Sequence, residues 1–261
     1  MTRRSKFLRQ IMNLKKMRFI IGLYFIVPFV FQTANSQEIL EDNDFTNQLW
    51  VSYDLSFKMS ELTDFSTELG YKTIWPEVWN RYYFKPTFKF NIPKFMLKKM
   101  KYREVLSAGI AFYYTDNFYD DNRLEIRPFQ GYLLDWPDWT HFRIRHYFRL
   151  EERFDLNTSD WVNTFGLRFR YLLDLTFKLQ GDIVPDAKGI YIPINVEFFW
   201  NLIGTKQFND VMRTNIGVGN AWSNRLRTEL LFGYQKSRNT TAEDFSTNDV
   251  IYQLKIFHKI D

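Results

Sequence analysis

Arginine and glutamate side chains spaced two apart dominate the chemistry available to this sequence. Arg123, Glu125 and Arg127 form one series; Arg143, Arg145, Arg149, Glu151 and Arg153 form a second; Arg168 and Arg170 form a third. Asn195 with Glu197, then Arg213, then Arg225, Arg227 and Glu229 continue the pattern toward the C-terminus. In an extended chain, residues two apart point to the same side. Each series is therefore a ladder of guanidinium and carboxylate groups that can pair across neighbouring strands. Two uses follow. Such ladders can fill and brace a polar interior, because buried ionised groups need partners and water supplies the rest. A surplus of arginine can instead line a narrow passage or binding site for small anionic solutes. The inward network singled out here is Glu125, Arg127, Arg149, Glu151, Arg153, Arg168, Arg170, Asn195, Glu197, Arg213, Arg227 and Glu229.

Catalysis has little to work with. A serine hydrolase built on strands needs a histidine two positions from its serine, so that both share one face. None of His141, His146 and His258 has a serine at that spacing. His141 is the only plausible base, with Thr140 and Asp138 as its nearest polar neighbours, and a rim histidine is the plainer reading. We assign no catalytic residue. The chain has no cysteine, which excludes disulfides, thiolate metal sites and cysteine nucleophiles. Three scattered histidines give no transition-metal site, and the strands hold no glycine-rich phosphate loop. No cofactor is expected.

The elements that must position these ladders are long alternating strands. From Phe45 to Met59, apolar Leu49, Val51, Tyr53, Leu55 and Phe57 fall on one parity, and Gln48, Ser52, Asp54, Ser56 and Lys58 on the other. The pattern returns through Phe65–Trp75, Asn80–Ile92, Tyr102–Thr115, Arg123–Leu134, His141–Phe154, Trp161–Leu173, Leu175–Ile183, Ile190–Phe199, Val211–Gly219, Arg225–Gln235 and Asp249–Ile260. Soluble strands average about five or six residues; membrane strands need about ten. The spacing predicts an all-β fold, a closed antiparallel transmembrane β-barrel of about 12 strands, with the apolar rows outward. Almost no turn chemistry separates Leu173 from Leu175, so ten strands is the alternative count. Twelve strands imply a backbone radius of roughly 12 Å, which long Arg and Glu side chains would nearly fill.

An even count puts both termini on the periplasmic side, the Asn220–Asn224 turn beside them, and the long polar Asn239–Asn248 connection outside. Trp75, Trp79, Trp136, Trp139, Trp161, Trp200 and Trp222 fall at strand ends or in turns, where headgroup level suits an amphipathic ring. The basic Pro93–Tyr102 connection could touch lipopolysaccharide phosphates. Pro86, Pro128 and Pro193 interrupt proposed strands, and bulges are expected there. Glu104, Glu152 and His146 fall in outward rows; the glutamates lie near strand ends, and His146 calls for a neutral imidazole or a local register shift.

The N-terminus reads as an export signal. Seven basic residues, Arg3 to Arg18, precede the apolar stretch Phe19 to Phe31, and small Ala34 and Ser36 mark cleavage near Ser36. Met12 or Met17 could be the true start, and a single anchor helix is the competing reading. The domains are then 1–36, signal peptide, and 37–261, outer-membrane β-barrel. The full chain has 35 Lys+Arg against 30 Asp+Glu. Residues 1–36 hold seven of the bases and no acid, which leaves 28 against 30, a net of −2. The pI of about 9.2 belongs to the leader, so no nucleic-acid partner is expected.

The string Glu125-Ile126-Arg127-Pro128-Phe129-Gln130, followed by Arg149-Leu150-Glu151-Glu152-Arg153, Arg168-Phe169-Arg170-Tyr171, Asn195-Val196-Glu197-Phe198-Phe199 and Arg213, resembles the succession of short motifs in the domain-of-unknown-function family 2490. The likeness runs from about Gln48 to Ile256. It implies an outer-membrane barrel of a Gram-negative cell, porin-like in architecture and unassigned in role, and carries over no catalytic residue. The expected surroundings are outer-membrane lipid and lipopolysaccharide; protein partners are not legible. Three readings are carried forward: a structural barrel or narrow, closed solute path; a soluble secreted or periplasmic barrel binding a ligand; and an outer-membrane lipid hydrolase.

Overall fold

A computed structural model describes residues 44–75, 79–93, 102–136, 141–179, 188–204, 208–238 and 246–260. The proposed signal segment 1–36 lies outside them. Eleven strands close into one barrel: β1 (Asp44–Lys58), β2 (Thr63–Trp75), β3 (Trp79–Ile92), β4 (Arg103–Asn117), β5 (Arg123–Asp135), β6 (Phe142–Asn157), β7 (Asn163–Lys178), β8 (Gly189–Ile203), β9 (Asp210–Ala221), β10 (Leu226–Arg238) and β11 (Ser246–Ile260). Sequential neighbours pair antiparallel, and β1 closes on β11 in parallel.

The count corrects the expectation of twelve, or ten. The two runs expected on either side of Asp174 are one strand, β7. Asp174 does not turn the chain; it faces inward and pairs with Arg145 of β6. His141, expected to open strand six, sits in a turn before it. An odd count makes the closing pair parallel, so the wholly antiparallel expectation fails at this seam.

It also moves the termini. Call the end where β1 begins the leading end, and the end where β11 finishes the trailing end. β10 ends and β11 begins at the leading end, so 239–245, itself outside the described residues, joins strands beside the start of β1 and not opposite it. The Trp222–Arg225 turn lies at the trailing end: it stays beside the last residues of β11, as expected, but opposite the start of β1.

Following paired residues round from Lys58 leads through Asp64, Lys89, Ser107, Gly131, Arg149, Arg170, Phe199, Val211, Ser237 and Thr247 back to β1 at Asp44. That stagger, about fourteen residues over eleven strands, tilts the strands about 40° and sets a backbone radius of roughly 11 Å. Because it is even, the alternation of inward and outward residues stays in phase across the seam.

The prolines do not create bulges. Around Pro86 the β3–β4 ladder loses two pairs, around Pro128 the β5–β6 ladder does, and around Pro193 the β8–β9 ladder does, each with the same register on both sides of the gap. Their opposite ladders stay paired at Thr67, Ile110 and Thr176. A strand residue bonds one neighbour only, so a missing N–H opens one side of the strand. The register shift that is present lies elsewhere, between Leu167 and Arg168 against β8.

Gly217 on β9 is required by close approach: a Cβ there would meet the Leu230 backbone oxygen at 2.0 Å and Leu231 Cα at 2.8 Å. Backbone cannot swing aside as a side chain can. Gly217→Ala is expected to lower stability in urea unfolding by about 1–3 kcal/mol; an unchanged midpoint would show that β9 and β10 can separate freely.

Candidate functional site: the charged lumen

Polarity is inverted relative to a soluble domain. Outward residues such as Leu69, Phe88, Leu230 and Phe232 are exposed, Leu230 by 64 %, whereas inward Glu151 is 2 % and Arg127 7 % exposed. The outer surface carries aromatic runs, among them Phe57–Phe65–Phe88 at 5.2 and 5.1 Å and Phe169–Trp200–Phe198 at 5.8 and 5.5 Å between ring centroids.

Polar residues on that outer face are sheltered. Glu104, in an outward row near the trailing end, is 1 % exposed and accepts the Tyr102 hydroxyl at 2.5 Å. His146 keeps the regular β6 register, which sets aside the expected shift, and its Nδ1 lies 2.9 Å from the Tyr171 hydroxyl. His258 is likewise 2.6 Å from the Tyr53 hydroxyl. His141 is exposed at the trailing rim; Thr140 and Asp138 fall outside the described residues.

Inside, the expected ladders form two linked groups. Toward the leading end, Glu125 accepts from Arg127 and from Arg153 Nε at 2.6 Å, while Arg123 grips Asp155 with two N–H groups at 3.1 and 2.7 Å. At mid-height, Glu151 accepts from Arg149 at 2.6 Å, Arg168 Nε at 2.9 Å and Arg170 Nη1 at 2.6 Å. Arg170 also donates to Glu197, Glu197 accepts Arg213 at 3.4 Å, and Arg213 donates to Gln235 at 2.9 and 2.6 Å. Gln235 Nε2 donates to Asp249 at 2.7 Å, and Asp249 accepts the Thr46 hydroxyl. This belt runs from β6 through β11 to β1 and crosses the parallel seam.

Three of the residues singled out from sequence stand apart from both groups. Asn195 accepts from Asn215 at 2.6 Å, Glu229 accepts the Tyr191 hydroxyl at 2.8 Å, and Arg227 stacks on Phe257 at 4.2 Å. Rows on β1 to β3 and β11 were missed, although the same parity marks them: Glu68 pairs with Lys85 and accepts Tyr83 at 2.7 Å, and Lys72 lies 3.5 Å over the Trp50 ring. Phe208 carried no signal, being in the β8–β9 connection. It turns into the lumen, where Arg153 lies 3.8 Å from its ring. Gly166 makes room for it, since a Cβ there would meet the ring at 2.5 Å.

Other guanidiniums are also stacked: Arg127 on Tyr113 at 4.0 Å, Arg170 on Phe199 at 4.3 Å and Arg213 on Trp50 at 4.5 Å. Stacking leaves the guanidinium edge for in-plane acceptors. A cavity of about 830 Å³ remains. It reaches the trailing rim at Asn224, Arg225 and Lys259, and its lining includes Phe208 and Arg153. Inward side chains toward the leading end are buried, such as Glu125, Asp155, Asn201 and Asp249. Nearer the trailing end burial is mixed: Lys89, Arg227 and Lys259 are half-buried or exposed, whereas Asp135, Lys178 and Tyr191 are buried. Among the described residues, no group of three His, Asp or Glu side chains is placed to hold a metal ion.

Fold and site together define a closed β-barrel with an apolar exterior and an ion-paired, aromatic-stacked lumen. Within that class the chain belongs to the family described as "Protein of unknown function (DUF2490)", whose model matches residues 47–246. No curated protein and no solved structure matches the chain.

Proposed function

We propose that the chain is an outer-membrane β-barrel that spans the bilayer with its lumen sealed toward the leading end, so that it serves as a closed, structural or narrowly gated path rather than a diffusion pore. The inverted polarity carries this reading: a belt of exposed Phe, Leu, Ile and Tyr surrounds a wall whose charges face inward. In water such a surface would be an aggregation site; in lipid it is the stable arrangement. The strands, 12 to 16 residues long, exceed the roughly nine to eleven a tilted membrane strand needs. Closure leaves no unpaired edge in the hydrocarbon. The export signal read from residues 1–36 points to the same destination, with outer-membrane lipid and lipopolysaccharide as surroundings.

The soluble-barrel alternative needs apolar rows inside and charge outside, the opposite of the observed exposures. A lipid hydrolase needs a nucleophile beside a histidine, and the outward His146 and His258 have tyrosine partners instead. We assign no catalysis.

Cell fractionation with a heat-modifiability gel tests the membrane reading. The protein is expected to need detergent for release and to change gel mobility on boiling. Recovery in detergent-free buffer with mobility indifferent to boiling would overturn it.

A further inference from the structure

Among the described residues, the cavity wall carries more positive charge than the acids around it neutralise. The cavity is lined by 17 Lys and Arg side chains against five Asp and Glu. Glu125, Glu151 and Asp135 pair with lining arginines from behind. Setting Lys178 and Arg225 aside because they have further partners, the other fifteen cations still exceed all eight acids by seven among the described residues. The net of −2 for residues 37–261 hides this polarisation, since the compensating acids lie elsewhere.

The surplus has specific unfilled valences. Arg127 and Arg149 are each 7 % exposed and line the cavity; the Nε–H of each lacks an acceptor and is itself buried, so a ligand reaches it only when the side chain turns. Lys72 lies over Trp50 and 5.4 Å from the Tyr83 ring, with no carboxylate in ion-pair distance among the described residues. It is within electrostatic reach of three cations, Arg213, Arg81 and Arg127, and of one carboxylate, Glu68. Buried cations crowded together repel unless a counter-charge sits among them. Because Arg127 and Arg213 are stacked on aromatic faces, their remaining donors point in plane, the geometry that suits phosphate or carboxylate oxygens.

We propose that the floor of this cup is a binding site for a multivalent oxyanion bearing phosphate or carboxylate groups, held by Arg127, Arg149, Arg213 and Lys72. The volume falls in the range of about 300–1,000 Å³ typical of metabolite pockets, so a small phosphorylated or polycarboxylate molecule fits. The proposal builds on the sealed-lumen reading, because a blind cup retains its ligand where an open pore would pass it.

Calorimetric titration of the full chain in neutral detergent, after exhaustive desalting, is the test, with inorganic pyrophosphate, citrate and chloride as probes. Pyrophosphate or citrate is expected to bind one-to-one at least ~tenfold more tightly than chloride, and affinity is expected to fall as salt rises. Preference between pyrophosphate and citrate distinguishes a phosphate from a carboxylate ligand. Lys72→Met and Arg149→Gln are expected to weaken binding ~tenfold or more while the heat-modifiable form persists. Should Arg149→Gln fail to give that form, Lys72→Met decides alone, since Lys72 has no carboxylate to strand. Absence of heat with both multivalent probes would mean that water satisfies these donors. Equal affinity for chloride would mean a diffuse ion atmosphere. Either result, or unchanged affinity in Lys72→Met, overturns the site. Failure of the membrane reading appears in fractionation and gel mobility, and failure of the sealed lumen appears as current through the unmodified protein; neither is read by this titration.

Discussion

Glu151→Ala is expected to destabilise the barrel by about 3–5 kcal/mol in urea unfolding, among the largest effects of any lumen substitution. One carboxylate holds Arg149, Arg168 and Arg170, and Glu151 itself is 2 % exposed. Removing it leaves three guanidiniums from adjacent strands facing one another without the charge that joined them. Arg170 retains Glu197, but Arg149 and Arg168 have no second carboxylate in ion-pair distance among the described residues. Glu61 makes the comparison: its side chain is 92 % exposed beside Lys58, and Glu61→Gln is expected to leave the midpoint unchanged, as for an ordinary surface pair. The measurement is unfolding in lipid vesicles followed by tryptophan fluorescence. A loss below about 1 kcal/mol for Glu151→Ala would show that lumen water solvates the arginines well enough to replace their partner.

The second large effect concerns passage of ions. The unmodified protein is expected to carry little current in planar bilayers, whereas Arg153→Ala combined with Phe208→Ala is expected to raise conductance at least ~tenfold with anion preference. Phe208 and Arg153 stack at 3.8 Å, and Arg153 is tied to Glu125, so the pair occupies lumen space on the leading side of the cavity. Taking out both leaves Glu125 still paired with Arg127, which separates opening of the path from loss of the fold. The remaining lining keeps its excess of cations and so favours anions. Large current through the unmodified protein would defeat the sealed lumen; a silent double variant would place the barrier in the Glu151–Glu197 belt.

Much of the wall was legible from alternation. Each strand places residues on two faces in strict order, so the inward assignment of Arg127, Glu151, Arg170 and Arg213 needed only their parity. The same rule would have found Glu68, Lys72 and Lys85, which belong to the same interior. Parity could not separate strands where no turn residue intervenes. Leu173-Asp174-Leu175 reads as a possible break, and the ion pair from Asp174 to Arg145 makes it the middle of β7. That merger changed the count to eleven, turned the closing pair parallel and moved 239–245 to the other end.

The sequence by itself determined the all-β character, the length of the strands and the face on which each charge lies, because these depend on a two-residue period that is local to the chain. Only the tertiary structure decided how many strands close the wall, which acid serves which arginine, and that Phe208 reaches into the lumen beside Arg153. Those outcomes depend on register and stagger between strands far apart in sequence, and on a connecting residue finding the space Gly166 leaves open. The physical reason is that facing is set residue by residue, whereas partnership is set by closure of the whole ring.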